Sequence, residues 1–313
     1  MKILITPVEA CYVWDQVGTE FGTDINAILT HGQIDEPGRL TCLLAEVDAA
    51  ILGLERIDAS VLDSARNLKV ISRFGVGYDN INLDALKTKS IRLANTPGCM
   101  AYAVARQTIA FLLAITFNLF DHDRRFKNGN WKRFPNSSCA EMTLGIIGMG
   151  AVGSEVVHLA TVLGYKVAAV SRSKIHYGGI YVSESMKDLI QRSTVVSLHV
   201  PLLKETREII SGEVVGWLSG KSLINTARGG LVSESDILEG LKEGVLRYYA
   251  TDVFSVEPVS GISKSLSQHE RVICTPHVGA MDHVTARTML RQSLSNAINC
   301  VVGRHDKVNA YVF

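Results

Sequence analysis

Short runs of β-branched and apolar residues recur along the chain, separated by longer stretches whose apolar positions return every three or four residues. In the first third the runs are KILIT (2–6), AAILG (49–53), LKVIS (68–72) and IRLAN (91–95). These have strand length, and the intervening segments, DASVLDSAR (58–66) among them, have helical spacing. One unbroken helix is predicted over AYAVARQTIAFLLAITFNLF (101–120), just after Pro97-Gly98. The alternation then restarts with TLGIIGM (143–149), YKVAAVS (165–171), TVVSLHV (194–200), KSLINTA (221–227), YYATDVF (248–254) and RVICTPH (271–277). A final helix is predicted over 283–303. Strands separated by helices of ten or more residues predict parallel β-α-β units with helices on both faces. The pattern therefore predicts an α/β protein of two doubly wound parallel-sheet domains.

The break near residue 98 sets the boundary. Residues 1–97 and 284–313 make one predicted domain, with the last helix packing back onto it, and residues 98–283 make the other. A length of 313 residues agrees, because a single hydrophobic core usually stops growing before that size. A hydrophobic share of 47% and a charged share of 20% exclude a disordered chain. The formal net charge of +1 supplies no basic field, which argues against nucleic acid or a membrane surface as a partner. No apolar run reaches the ~18–20 residues that span a bilayer. Pro7 and Glu9 interrupt the N-terminal apolar stretch, which reads as a first strand and not as a signal peptide. The six cysteines form no C-x-x-C pair and suit a reducing, cytoplasmic setting. No group of Cys, His and carboxylate has metal-ligand spacing, so no metal site is expected.

Two features carry chemistry. In TLGIIGMGAVG, Gly148, Gly150 and Gly153 form G-x-G-x-x-G between a predicted strand and a predicted helix. That context suits a dinucleotide: tight turn, close approach of a pyrophosphate to backbone, and phosphates at a helix N-terminus. The second domain is thus a predicted Rossmann dinucleotide-binding domain. An NAD binder usually carries Asp or Glu at the end of the next strand, about 20 residues on, where it bonds the ribose. Here Ser171, Arg172, Ser173 and Lys174 occupy that place. A guanidinium flanked by hydroxyls favours a 2′-phosphate, so NADP(H) is expected over NAD(H).

The second feature is a set of ionisable residues just past three successive predicted strands: Arg228 in INTARGGLV, Asp252 and Glu257 in TDVFSVEP, and His277 in TPHVGA. Ligands of open parallel sheets lie beyond the carboxyl ends of the strands. Reduction of a 2-keto acid needs a proton donor for the carbonyl oxygen, and histidine suits that at neutral pH. A carboxylate on the other ring nitrogen orients the imidazole, and an arginine can hold the substrate carboxylate with its planar fork.

These blocks, with LKVISRFGVGYDNINLDAL (68–86), resemble the D-isomer-specific 2-hydroxyacid dehydrogenase family over nearly the whole chain. The resemblance implies that the first domain binds substrate and the second binds nucleotide. It implies Arg228, Glu257 and His277 as the catalytic set, with Arg228 and His277 also touching substrate. Backbone N–H groups at Gly75, Val76 and Gly77 would cradle the substrate carboxylate. Cofactor contacts would come from Gly148, Met149, Gly150, Ala151, Val152 and Gly153, from Ser171, Arg172 and Ser173, from Val200, Pro201 and Thr206, and from Thr226, Ala227, Asp252 and Gly279. Asp252 would face the nicotinamide carboxamide. A homodimer through the dinucleotide-binding domain is implied, with contacts around KNGNWKRF (127–134).

Ala151, Arg106 and Leu203 depart from the commoner family residues, and none belongs to the catalytic set. The glutamate in SVEP argues against formate as substrate, because the formate dehydrogenase branch uses glutamine beside the histidine. The loop ILGLERIDAS (51–60) resembles those of glyoxylate/hydroxypyruvate reductases and of phosphoglycerate-dehydrogenase-like proteins. Where the latter carry a phosphate-binding arginine, this chain has Leu52, with Arg56 further along. The expected activity is therefore NADPH-dependent reduction of hydroxypyruvate, glyoxylate or a similar small acid. A phosphorylated hydroxy acid is the alternative. A non-catalytic, dinucleotide-sensing corepressor is a third reading, disfavoured by the complete acid/base set.

Overall fold

The computed structural model describes residues 1–22, 24–34, 36, 38–172 and 178–313. The chain divides into two compact units, Met1–Met100 with Ala280–Phe313, and Ala101–Gly279.

The first unit is built on five strands, β1 (Lys2–Ile5), β2 (Asn26–Leu29), β3 (Ala49–Leu52), β4 (Val70–Arg73) and β5 (Arg92–Ala94), in the order β2-β1-β3-β4-β5. All pairings are parallel. Successive side chains of a strand face opposite ways, and both faces are apolar. Ile3 and Ile5 join Ala49, Ile51 and Val70 beneath the helix His283–Val301, which contributes Ala286, Met289, Leu290, Leu294 and Ala297. Leu4, Ala50, Leu52 and Ile71 face the other way, onto Leu44, Leu62 and Leu86. Each large aliphatic side chain buried in this way contributes roughly 1.5–3 kcal/mol. The chain order reverses between β1 and β3, so this sheet has its own switch point at its carboxyl edge.

The second unit has seven strands: β6 (Thr143–Ile147), β7 (Lys166–Val170), β8 (Tyr181–Val182), β9 (Val195–Leu198), β10 (Ser222–Asn225), β11 (Tyr248–Thr251) and β12 (Val272–Cys274). Their order is β12-β11-β10-β9-β6-β7-β8, again wholly parallel. On one face Leu144, Ile146, Val167 and Ala250 pack against the helices Ala101–Thr116 and Ala151–Val162. On the other, Ile147, Val196, Leu198 and Leu223 meet Leu189, Ile237 and Leu241. The chain order reverses between β6 and β9, so the switch point lies beside the strand that leads into Gly148.

Four elements differ from the sequence pattern. Residues 58–66 form turns and no helix. Asp58 Oδ1 accepts from Ser60 Oγ at 2.6 Å and from the Val61 N–H at 3.2 Å, an Asx-type turn that competes with helical bonding. The helix predicted over 101–120 breaks at Asn118, which adopts φ 48, and a second helix, Leu119–Lys127, leaves at 60°. Two strands that the pattern did not single out, β2 and β8, each form one edge of a sheet. Among the described residues no single helix is long and apolar enough to cross a membrane.

Candidate active site

The fingerprint glycines take up the conformations their spacing implies. Gly148 has φ +100, which favours glycine, and a Cβ there would press on the His199 carbonyl. A Cβ on Gly153 would enter the space of the Gly148 carbonyl, so the third glycine lets helix and strand meet. Gly150 has open space where its Cβ would stand, and it begins the helix Ala151–Val162 with no side-chain cap. The first backbone N–H groups of that helix therefore offer donors to an anion. These features fit a dinucleotide pyrophosphate. Ser171 and Arg172 follow β7, the strand beside β6, with Arg172 exposed. Ser173 lies outside the described residues.

The loop after β9 closes on itself. Thr206 is buried, its Oγ1 donates to the Pro201 carbonyl at 2.6 Å, and it accepts from the Leu203 N–H at 2.8 Å. Thr206, expected to touch cofactor, thus braces the segment that carries Val200 and Pro201. Thr226 likewise bonds sideways, to Thr108 Oγ1 at 2.7 Å. Thr108 donates to the Val104 carbonyl, which makes Thr226 the donor between the two hydroxyls.

Arg228, Glu257 and His277 lie just beyond the carboxyl ends of the neighbouring strands β10, β11 and β12. Asn225, fully buried at the end of β10, shapes the first of these turns. Its Oδ1 accepts from the Ala227 N–H at 3.1 Å, and its Nδ2 donates to the Arg228 carbonyl at 2.8 Å. The Arg228 guanidinium donates through Nη1 to the Ala227 carbonyl at 2.8 Å.

His277 Nδ1 and Glu257 Oε2 are 2.7 Å apart. The other carboxylate oxygen, Oε1, accepts from the Phe254 N–H at 2.8 Å. Burial pushes the Glu257 carboxyl upward, but the His277 hydrogen bond and charge, the Phe254 N–H and Arg228 outweigh it, and the group is held below its ordinary range. His199, the other histidine near a strand end, bonds Ser197 Oγ at 2.8 Å, and burial pushes it down to about 3. It is uncharged at neutral pH and supplies no proton there.

His277 has φ 55, uncommon for a residue with a Cβ. Asp252 accounts for how that backbone is held. Its buried carboxylate accepts from Thr275 Oγ1 at 2.5 Å and the Val278 N–H at 2.8 Å through Oδ1, and from the Gly279 N–H at 2.7 Å through Oδ2. Both oxygens are engaged around His277, so Asp252 holds the backbone of the histidine loop. Gln107 Nε2 adds a bond to Thr275 Oγ1 at 3.1 Å. Asn225 and Thr275 lie inside the INTARGGLV and TPHVGA blocks but were not singled out as site residues, and Gln107 acts through a contact 168 positions away in sequence.

In the first unit, the loop after β4 carries Gly75, Val76 and Gly77. The Gly75 N–H donates to Thr96 Oγ1 and the Arg73 carbonyl, each at 3.0 Å. The Gly75 carbonyl accepts from the Thr96 N–H at 3.0 Å, the Val76 carbonyl from Asn95 Nδ2 at 2.9 Å, and the Gly77 carbonyl from Arg73 Nε at 2.8 Å. In a trans peptide N–H and C=O point opposite ways. The N–H groups of Val76, Gly77 and Tyr78 therefore turn away from these partners. Tyr78 was not apparent from the motif.

Comparison with known proteins agrees with this geometry. The family model described as D-isomer specific 2-hydroxyacid dehydrogenase, NAD binding domain, matches residues 109–279. A hydroxypyruvate reductase of Thermotoga maritima is 33% identical over 250 residues, 78% of this chain and 82% of that one. A D-3-phosphoglycerate dehydrogenase of Methanocaldococcus jannaschii is 35% identical over 232 residues, 72% of this chain but 44% of its own length. The crystal structure of a D-lactate dehydrogenase from Aquifex aeolicus, complexed with NAD and lactic acid, superposes with a TM-score of 0.86 at 23% identity. That likeness covers 100% of this chain and 99% of the other, and it concerns the fold.

Proposed function

The chain belongs to the D-isomer-specific 2-hydroxyacid dehydrogenases, oxidoreductases acting on CH–OH with NAD(P), and from that premise we propose that it reduces a small 2-keto acid of the hydroxypyruvate or glyoxylate kind, with NADPH preferred. The observation that carries this reading is the 2.7 Å pairing of His277 Nδ1 with Glu257 beside the turn of Arg228. Nδ1 is committed to the carboxylate, so Nε2 is the atom left to protonate the keto oxygen. Arg228 pairs with the substrate carboxylate and polarises the carbonyl. The Gly148–Gly153 turn would hold the pyrophosphate of a nicotinamide dinucleotide, which would supply the hydride. His277 gives its proton to the oxygen as the carbonyl carbon is reduced, and Glu257 keeps the ring oriented throughout. The outward amides of Val76, Gly77 and Tyr78 suit a carboxylate in the unit proposed to bind substrate.

The NADPH preference rests on Ser171 and Arg172 following β7, with no carboxylate at either position to repel a 2′-phosphate. A phosphorylated hydroxy acid is the second reading, favoured by the similarity to the phosphoglycerate dehydrogenase. Against it, Leu52 is buried in the apolar core where a phosphate-binding arginine would be needed. Self-association through the second unit is also proposed. Phe117, Leu119, Phe120, Phe126 and Trp131 are exposed there, Trp131 by 77%.

His277→Ala tests the catalytic assignment. Turnover should fall by about 10²–10⁴-fold while NADPH binding, followed by nucleotide fluorescence, stays unchanged. Undiminished turnover would remove His277 from its role.

A further inference from the structure

We propose that Glu234, which no motif singles out, is a positioning residue that sets the Glu257 loop against the Arg228 turn. The inference rests on the functional reading above and deepens it.

Glu234 is the first residue of the helix Glu234–Lys242, behind the N-cap Ser233, and only 5% of it is exposed. Both carboxylate oxygens are committed. Oε1 accepts from the Ser255 N–H at 2.7 Å, and Oε2 accepts from the fully buried Ser263 hydroxyl at 2.6 Å. Ser263 belongs to the helix Gly261–Ser267. One carboxylate therefore joins three segments: the helix following the Arg228 turn, the loop leaving β11, and the helix after that loop. Negative charge at the first turn of a helix is favourable, and charge-assisted bonds are the strong ones.

The peptide between Phe254 and Ser255 is where this matters. Its N–H, that of Ser255, goes to Glu234. The preceding N–H, that of Phe254, goes to the catalytic partner Glu257. Its other side lies on Gly229, the residue after Arg228. A Cβ on Gly229 would overlap the Phe254 carbonyl and the Ser255 nitrogen. Glu234 thus fixes the peptide that rests on the arginine's neighbour and that directly follows the one whose N–H holds Glu257. Removing its carboxylate strips the acceptors from a backbone N–H and a buried hydroxyl, and leaves that peptide free to shift. A displacement of ~1 Å in such a site can cost on the order of 10²-fold in rate.

The test uses the full chain with hydroxypyruvate as probe, comparing wild type with Glu234→Ala, Glu234→Gln and His277→Ala. Steady-state reduction is followed across pH, alongside thermal melting and NADPH binding. Glu234→Ala is expected to lose roughly 10–100-fold in kcat with NADPH binding intact. Its acid limb should also move to higher pH, because Glu257 loses the alignment that holds its carboxyl low. Glu234→Gln, which keeps an oxygen for Ser255 and can donate to Ser263, should recover most of the rate and the original limb. Glu234→Ala with wild-type kcat would overturn the proposal. So would a loss that the melts explain as unfolded protein while the acid limb stays in place. An inactive His277→Ala beside an unaffected Glu234→Ala overturns the positioning role alone. A fully active His277→Ala overturns the functional reading and the positioning role together.

Discussion

Glu257 is subject to two opposed influences, and their balance gives the acid/base pair its pH range. Burial favours the neutral acid, yet the contacts with His277, the Phe254 N–H and Arg228 win and depress the carboxyl. A depressed folded-state value stabilises the protein above the unfolded value of about 4.3. That contribution disappears as pH falls through the lower folded value. The melting-temperature gap between wild type and Glu257→Gln should accordingly be full at neutral pH and shrink below about pH 4. A gap that stays constant to strong acid contradicts the pairing. At this scale the sequence was informative where a residue's chemistry is its role. Arg228, Glu257 and His277 sit past successive strand ends and could be read directly. The bracing of the histidine loop by Asp252 was not legible, because its three donors come from Thr275, Val278 and Gly279, beyond the next strand. The bond of the Gly75 N–H to Thr96 Oγ1, twenty-one positions later, was hidden for a similar reason.

At the scale of elements, the central strands were legible because parallel strands buried on both faces read as continuous apolar runs. Edge strands lack that requirement: β8 is two exposed residues, and the short apolar run of β2, only partly buried, did not stand out. The turn at 58–66 shows the opposite failure: helical spacing was present, but Asp58 bonded its own backbone first. The break after Thr116 depends on Asn118 entering the left-handed region, which no apolar period reports. The contact between the β10 and β11 exits is equally hidden, and it makes a prediction. Gly229→Ala introduces a Cβ where the Phe254–Ser255 peptide lies, so the two loops must part. We expect kcat to fall by about tenfold or more, in steady-state assays, with the fold retained by circular dichroism. Wild-type kinetics would show that the close approach has no catalytic consequence.

For the whole molecule, each unit places the backbone proposed to bind an anion where a doubly wound sheet presents its carboxyl edge. The Gly148 turn stands at the β6/β9 reversal, and the Val76–Tyr78 amides follow β4 of the other sheet. The exposed aromatic surface of the second unit is rich enough in apolar side chains to fit a partner of its own kind. Trp131→Glu should move the protein toward a smaller species in sedimentation velocity, and an unchanged distribution would remove Trp131 from any interface. The central claim is reached most directly by mixing the purified protein with NADPH, then with NADH, and following nucleotide oxidation with hydroxypyruvate, glyoxylate and 3-phosphohydroxypyruvate. The account predicts rapid oxidation with hydroxypyruvate or glyoxylate, faster with NADPH, and little with the phosphorylated acid. Nucleotide binding with no turnover of any of these acids would contradict it.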